Sequence, residues 1–306
     1  SSLPISRKTR AGLSLFLLLV AIAWFWQPLV TLYSLSQAER HYSHFVLIPF
    51  VSAFSFYLNR KSFLALKEWS PLPGVILLAL GAFGYQQIDS LANGSSDLPL
   101  AIIAFVLTCW GIFLFFYGIK SFRVFSFGLL FLLCMVPFPA GVLHAIIVFL
   151  QRSAAEVTGM AFSLLGVPVL RDDIVFGLSN ITIRIDEGCS AIRSALSLII
   201  TSIVAGHFSL RSLWAKLGVA VLMIPVAIVD NALRIVGLSL LANHVDKSFL
   251  KDGRLHDGGG YVMLALSMTI LLVLISLLRR WERQPSSYAS LHSKVASDLS
   301  AANQHL

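Results

Sequence analysis

The sequence predicts an all-α polytopic membrane protein, from its composition and the length of its apolar runs. Of its 306 residues, 57% are hydrophobic and only 12% are charged, whereas soluble domains carry about 25% charged residues. Several apolar runs approach or exceed the roughly 20 residues that cross a bilayer. A water-soluble fold of this size could not bury so much apolar surface, so lipid has to cover much of it.

We expect about eight transmembrane helices. They cover residues 11–30, 44–59, 71–88, 98–118, 122–138, 190–207, 215–243 and 259–278. The first run follows three basic residues, and we expect an uncleaved span there rather than a signal peptide. The run is long for a signal sequence, and no small-residue cleavage site follows it before Gln27.

The loops between these spans alternate in charge, which predicts their orientation. Cytoplasmic loops carry an excess of lysine and arginine. Alternate loops hold the cations Arg7, Lys8, Arg10, Arg60, Lys61, Lys67, Lys120, Arg123, Arg211, Lys216, Arg279, Arg280 and Arg283. Both termini are therefore expected in the cytoplasm, and the net charge of +8 reflects membrane topology rather than nucleic-acid binding.

Residues 139–189 interrupt the regular alternation of spans and charged loops, and we expect them to form an extracytoplasmic cap. Residues 141–165 are predicted to be an amphipathic or re-entrant helix at the outer interface, because a ninth span would break the charge rule. Residues 173–185 predict a β-hairpin, with branched and aromatic residues around a turn. We expect one transmembrane domain over 1–283 and a disordered cytoplasmic tail over 284–306.

The segment from Asp186 to Ser194 holds the first candidate for chemistry. Gly188 allows a hinge, and Cys189 is expected at the first turn of the sixth span, where helix amides favour a thiolate. The alternative is a small residue that eases a tight turn. The other cysteines, Cys109 and Cys134, lie inside apolar runs and are interpreted as inert packing residues.

The seventh span holds the second candidate, within Asp230-Asn-Ala-Leu-Arg-Ile-Val-Gly237. Arg234 lies about nine residues before the outer end of that span, on the order of 14 Å deep. A cation at this depth is costly unless it is paired or wetted. Asp230, one helical turn earlier, is a partner in a structural ion pair under one hypothesis. Under the other, Arg234 faces a wet cleft and meets substrate.

The third candidate is His256, just before the eighth span. An interfacial histidine is often only a solvated loop residue, but the topology brings Cys189, Arg234 and His256 to the same side of the membrane at similar depth. Thiol, guanidinium and imidazole together suit nucleophilic catalysis on a carbonyl. The sequence has no metal-binding or nucleotide-binding pattern, and we expect no metal or cofactor.

Three motifs in this order resemble the exosortase/archaeosortase family. They are Glu187-Gly-Cys-Ser-Ala-Ile-Arg-Ser194, Asn231-Ala-Leu-Arg-Ile235 and His256 before a last span. The resemblance covers roughly residues 130–280. This chain has Ala191 where family members commonly have glycine.

The resemblance implies a membrane cysteine transpeptidase or protease of the bacterial inner membrane, with its active site facing the periplasm. Its partners would be exported proteins with a C-terminal sorting signal of the PEP-CTERM type: a Pro-Glu-Pro motif, a transmembrane helix and a basic tail. Membrane lipid surrounds it, and a lipid or glycan is a possible acceptor. Cys189, Arg234 and His256 match the catalytic residues. Supporting or substrate-binding roles fall to Glu187, Ser190, Arg193, Asp230 and Asn231.

Two other functions stay open at this point. A transporter or flippase is suggested by Arg234 and Asp230 inside a span, although no internal repeat is evident. A non-catalytic assembly protein of an envelope exopolysaccharide system is the other alternative.

Overall fold

The computed structural model describes residues 6–60, 71–91, 97–185, 191–244 and 253–283. The protein is mostly helical, which agrees with the predicted all-α class. The chain divides into two compact units, Ser1–Ile146 and Ile147–Leu306. The single domain expected over 1–283 stays a prediction, and the expected tail over 284–306 lies outside the described residues.

The first unit contains six helices and two short 3₁₀ segments within its described part. The α-helices are α1 (Arg7–Trp24), α2 (Trp26–Ala38), α3 (Leu47–Leu58), α4 (Pro71–Leu91), α5 (Leu98–Val124) and α6 (Ser126–Phe131). The 3₁₀ segments are Arg40–Val46 and Leu132–Met135.

The second unit combines helices with a small sheet. A long helix, α7 (Ala140–Leu164), leads into it. The remaining elements are β1 (Leu170–Asp172), β2 (Val175–Gly177), β3 (Thr182–Arg184), α8 (Ile192–Ser209), α9 (Leu213–His244) and α10 (Gly253–Arg283).

Among the described residues, six helices are long and apolar enough to cross a membrane: α4, α5, α7, α8, α9 and α10. Five of them coincide with predicted spans. The first predicted span corresponds to α1 and α2, which together pass the same test but are bent by 70° at Phe25. Counting that pair as one span gives seven, and the expected total of eight stays a prediction.

Two predicted spans are covered by shorter helices. Residues 44–59 contain part of a 3₁₀ segment and α3, whose 12 residues rise only about 18 Å. Residues 122–138 contain the end of α5, α6 and a four-residue 3₁₀ segment. Neither α-helix alone matches the roughly 30 Å hydrocarbon core. Apolar composition predicted these spans, but helix breaks limit their length.

The segment expected as an interfacial helix differs most from its prediction. α7 is one continuous helix of 25 residues, about 37 Å long, and it has the length and composition of a membrane span. Its polar residues do not form one wet face: Gln151 is buried, whereas Arg152 and Glu156 are exposed. The interfacial interpretation depended on the assumption that 122–138 crosses the membrane, and α7 is the longer helix.

In the first unit, α4 and α5 pack closely through glycines. A side chain at Gly74 would overlap the backbone of Phe115, and one at Gly111 would come within 2.7 Å of the amide nitrogen of Leu78. At Gly81 an added Cβ would lie 2.7 Å from the carbonyl oxygen of Ala104 and would overlap the Thr108 hydroxyl. Small residues that let helix backbones approach are typical of membrane helix pairs.

The sheet of the second unit is antiparallel, in the order β1-β2-β3. β2 and β3 form a hairpin inside the range predicted for one, and Phe176 pairs with Ile183. β1 is an additional strand that the sequence analysis did not predict. Arg171 on β1 joins the sheet to α7 by a two-pronged pair with Glu156, with N–O distances of 2.6 and 3.0 Å.

Helices α8, α9 and α10 pack against one another, and hydrogen bonds identify the two ends of this group. At one end, Glu282 of α10 accepts hydrogen bonds from the backbone amides of Arg211 and Ser212, at 2.8 and 2.9 Å. At the other end, the β2–β3 turn meets the end of α9, where Asn180 donates twice to Asn243. The sheet and the basic loop between α8 and α9 therefore lie at opposite ends.

We predict that Gly81→Val separates α4 from α5. Overpacking of a tight interface typically costs about 1–3 kcal/mol, and here the obstacle includes backbone. Thermal unfolding of the purified protein in detergent measures the effect. The control is Gly84→Val on the same helix, because no atom lies within 4 Å of a Cβ at that position. Equal melting temperatures for the two variants would contradict the glycine-mediated packing.

Candidate functional site

The chain around the candidate nucleophile is described only on its two sides. Glu187, Cys189 and Ser190 lie outside the described residues. The flanking residues Ile185 and Ala191 are both buried, at 0% and 6% exposure. Both belong to the end of the second unit that carries the sheet.

Ile185 is held by three interactions from three elements. Its amide donates to the carbonyl of Ile174, extending the sheet by one bond of 3.0 Å. Its carbonyl accepts from the side-chain amide of Gln151 on α7, at 3.1 Å. Its side chain packs in a buried cluster with Phe176 and with Val236 of α9.

Ala191 takes a backbone conformation that ordinary residues avoid. It is the N-cap of α8, with φ 65° and ψ −2°, in the left-handed region that glycine adopts readily. Glycine, which the resemblance noted above leads us to expect here, would adopt this conformation without strain. α8 begins at Ile192, three positions after Cys189 in the sequence, and the expectation that Cys189 lies in the first turn of a helix concerns a residue outside the described part of the structure.

We predict that Ala191→Gly stabilises the protein and Ala191→Val destabilises it. The left-handed conformation costs a residue with a Cβ roughly 1–2 kcal/mol, and glycine avoids most of that cost. A branched side chain fits this conformation worse. Thermal unfolding in detergent measures both changes.

The matched control for these variants is Ala195→Gly. Ala195 is also buried but lies within α8, where glycine costs about 1 kcal/mol relative to alanine. The two glycine variants should therefore shift the melting temperature in opposite directions. A lower melting temperature for Ala191→Gly would contradict the argument from φ.

Arg234 lies on α9, ten residues before the helix ends at His244. It is half-buried, and Asp230 and Asn231 beside it are buried, at 7% and 3% exposure. The Asp230 carboxyl group and the guanidinium attract each other electrostatically. Yet Asp230 Oδ1 and Arg234 Nε are both buried, and neither atom makes a hydrogen bond within the described part of the chain.

Ser267 of α10 belongs to the same polar cluster, and sequence analysis missed it. It is fully buried, and its hydroxyl is one of the groups that act on the Asp230 carboxyl. Buried polar groups in proteins are normally hydrogen-bonded. Within the described residues, Asp230, Arg234 and Ser267 each bury one polar atom that has no hydrogen-bond partner. A serine in an apolar run carries no signal in sequence that separates it from ordinary packing.

The remaining candidates have different surroundings. His256 lies in the first turn of α10, and its side chain lies outside the described part of the structure. Arg193, the second residue of α8, is exposed, whereas Ile192 and Ala195 face the packed interior. No group of three or more histidine, cysteine, aspartate or glutamate residues within the described ranges is arranged to hold a metal ion.

Comparison with protein families gives one match. A family model described as transmembrane exosortase matches residues 26–273, more than three quarters of the chain. The comparisons with curated proteins and with solved structures give no match.

Proposed function

The chain belongs to the transmembrane exosortase family, and from this membership we propose that it is a membrane-embedded cysteine transpeptidase or protease. Its substrates are exported proteins that end in a short Pro-Glu-Pro motif, a transmembrane helix and a basic tail. His256, at the position where the family has histidine or arginine, favours the bacterial branch. The observation that carries the proposal is the match over residues 26–273, which includes all three candidate residues.

In the proposed mechanism Cys189 is the nucleophile. Its thiolate sulfur attacks the carbonyl carbon of the scissile peptide bond, and the carbonyl oxygen takes up the negative charge. Collapse of this intermediate breaks the C–N bond, and protonated His256 gives its proton to the departing amine. The product is a thioester between Cys189 and the exported protein.

The second half of the reaction releases that thioester. Water or an acceptor amine attacks the thioester carbonyl and gives its proton to His256, and the sulfur leaves as the thiolate. Water gives hydrolysis, whereas an amine on a lipid or glycan gives transpeptidation. Neither half requires a metal or a cofactor.

Arg234 is proposed to stabilise the negative charge that develops on the carbonyl oxygen, or to bind a carboxylate of the substrate. Arg234 is half-buried, and its Nε makes no hydrogen bond to any described residue, so it retains hydrogen-bonding capacity. Preorganised donors in a site of low polarity stabilise an oxyanion strongly. Asp230 and Asn231 are proposed to orient Arg234. Glu187, Ser190 and Arg193 are proposed to contact substrate near the nucleophile.

Membrane orientation is proposed from the ends of the second unit. The bonds to Glu282 bring Arg211 of the basic loop, and with it Lys216 near the start of α9, to the end where α10 finishes with Arg279 and Arg280. Clustered cations favour the cytoplasm, so the sheet end faces the periplasm of a bacterial inner membrane. If α7 crosses in place of 122–138, four crossings still separate Lys120 from Arg279, and the charge rule holds.

We predict that Cys189→Ala abolishes processing while the protein still folds and inserts. The measurement is the size, on a gel, of a reporter carrying a Pro-Glu-Pro motif, one span and an Arg-rich tail, co-expressed with each variant. Arg234→Lys and His256→Ala should slow processing at least 100-fold, since removal of one oxyanion donor or general acid typically costs 10²–10⁴.

Cys109→Ala and Cys134→Ala are the matched controls, and both should process the reporter normally. Normal processing by a folded Cys189→Ala protein would falsify the enzyme assignment. A transporter would instead support substrate flux in vesicles without the Cys189 thiol. A non-catalytic assembly protein would tolerate all three substitutions.

Single-cysteine labelling tests the orientation. With Cys109, Cys134 and Cys189 replaced by alanine, an impermeant maleimide applied to intact spheroplasts should label Ser179→Cys in the β2–β3 turn. It should reach Ser212→Cys only after permeabilisation. The reverse pattern contradicts the proposed topology.

Gly141→Cys distinguishes the two assignments of α7. This position is exposed, with open space around it. If α7 crosses the membrane, the start of the helix is cytoplasmic and the cysteine is labelled only after permeabilisation. If α7 lies at the outer interface, the cysteine is labelled in intact spheroplasts.

A further inference from the structure

We propose that Gln151 is a positioning residue for the Cys189 nucleophile. Its side chain on α7 donates a hydrogen bond to the carbonyl of Ile185. Ile185 follows β3 and lies four residues before Cys189 in the sequence. The inference rests on the proposed function, because positioning matters only if Cys189 reacts.

Gln151 is a polar residue on the buried face of α7, which is otherwise apolar except for Thr158. It is buried at 9% exposure, in a stripe with Ala154, Ala155 and Phe162, each 0% exposed. Burying an amide is unfavourable unless it is hydrogen-bonded. Its Nε2 donates to the carbonyl of Ile185 over 3.1 Å, and because a carbonyl only accepts, the amide nitrogen must face it.

The acceptor is the last described residue before the segment that contains Cys189, four positions later. Without Gln151, a buried carbonyl at this position would lose a partner that water cannot easily replace. The backbone of Ile185 would keep only the bond of its own amide to Ile174. Gln151 therefore helps to fix Ile185, the last described residue before Cys189.

The same residue connects the chain to the helix that carries Arg234. Ile185 packs in one buried cluster with Ile235 and Val236, the two residues that follow Arg234. Gln151 thus hydrogen-bonds a residue that packs in the same buried cluster as Ile235, which follows Arg234 in the sequence. Its bond couples the start of the nucleophile segment to the position of the cation.

The arrangement predicts a specific effect of Gln151→Met, which keeps the side chain's length but removes the donor. Processing of the sorting-signal reporter at saturating reporter should fall about tenfold, whereas the reporter concentration giving half-maximal rate should stay unchanged. Alkylation of Cys189 by N-ethylmaleimide at neutral pH, in a Cys109→Ala/Cys134→Ala background, should slow about threefold, because a thiol released from its position loses thiolate character.

The matched control is Thr158→Val. Thr158 lies on the same helix and is fully buried, and its hydroxyl makes no hydrogen bond in the described structure. Its variant should process the reporter and react with maleimide at wild-type rates. If Gln151→Met fails to accumulate in the membrane, Gln151→Asn carries the test, because it keeps an amide but shortens its reach by about 1.5 Å.

The processing and alkylation measurements distinguish failure of this inference from failure of the proposed function. Alkylation needs no substrate, so slower alkylation in Gln151→Met supports positioning even if wild-type protein leaves the reporter intact, which would overturn only the proposed function. Unchanged or faster alkylation of a folded Gln151 variant overturns the inference, as does processing at the wild-type rate.

Discussion

Ile185 lies fully buried where the sheet meets α7 and α9, and its amide, its carbonyl and its side chain are each held by a different element. A three-stranded sheet of three-residue strands is too small to be stable alone. It depends on Phe176 and Ile185, which pack against α7 and α9. The position of Ile185, four residues before Cys189 in the sequence, therefore depends on helix packing as well as on the sheet.

The interface between α9 and α10 differs from the surroundings of Ile185. Among its described residues, some buried polar atoms have no hydrogen-bond partner. Asp230, Arg234 and Ser267 stand among apolar residues such as Ala227 and Leu271. A charge in such surroundings is expensive, and a closed ion pair would reduce that cost. The absence of hydrogen bonds at Asp230 Oδ1 and Arg234 Nε suits a pair that is available to a third group, which is the role proposed for Arg234.

Sequence patterns predicted the helices that are long and uniformly apolar, because about 20 apolar residues have few alternatives in lipid. They leave the assignment open where a segment is apolar but short, or long but partly polar. Residues 122–138 are apolar enough, but they are divided between helices that end at Val124, Phe131 and Met135. Residues 141–165 contain Gln151, Arg152 and Glu156, which suggested an interfacial helix. Burial of Gln151 against Ile185 accounts for one of the three polar residues, and the Arg171 pair accounts for another.

The sequence by itself determined the membrane class, most helix positions and the three motifs, because these depend on local composition and order. Only the tertiary structure decided that Gln151 meets Ile185 and that Ser267 meets Asp230, because these residues are 34 and 37 positions apart and no local pattern links them. It also decided the left-handed conformation of Ala191, which reflects how α8 must begin beside its neighbours. Contacts between helices depend on tertiary packing, which no single segment of the sequence determines.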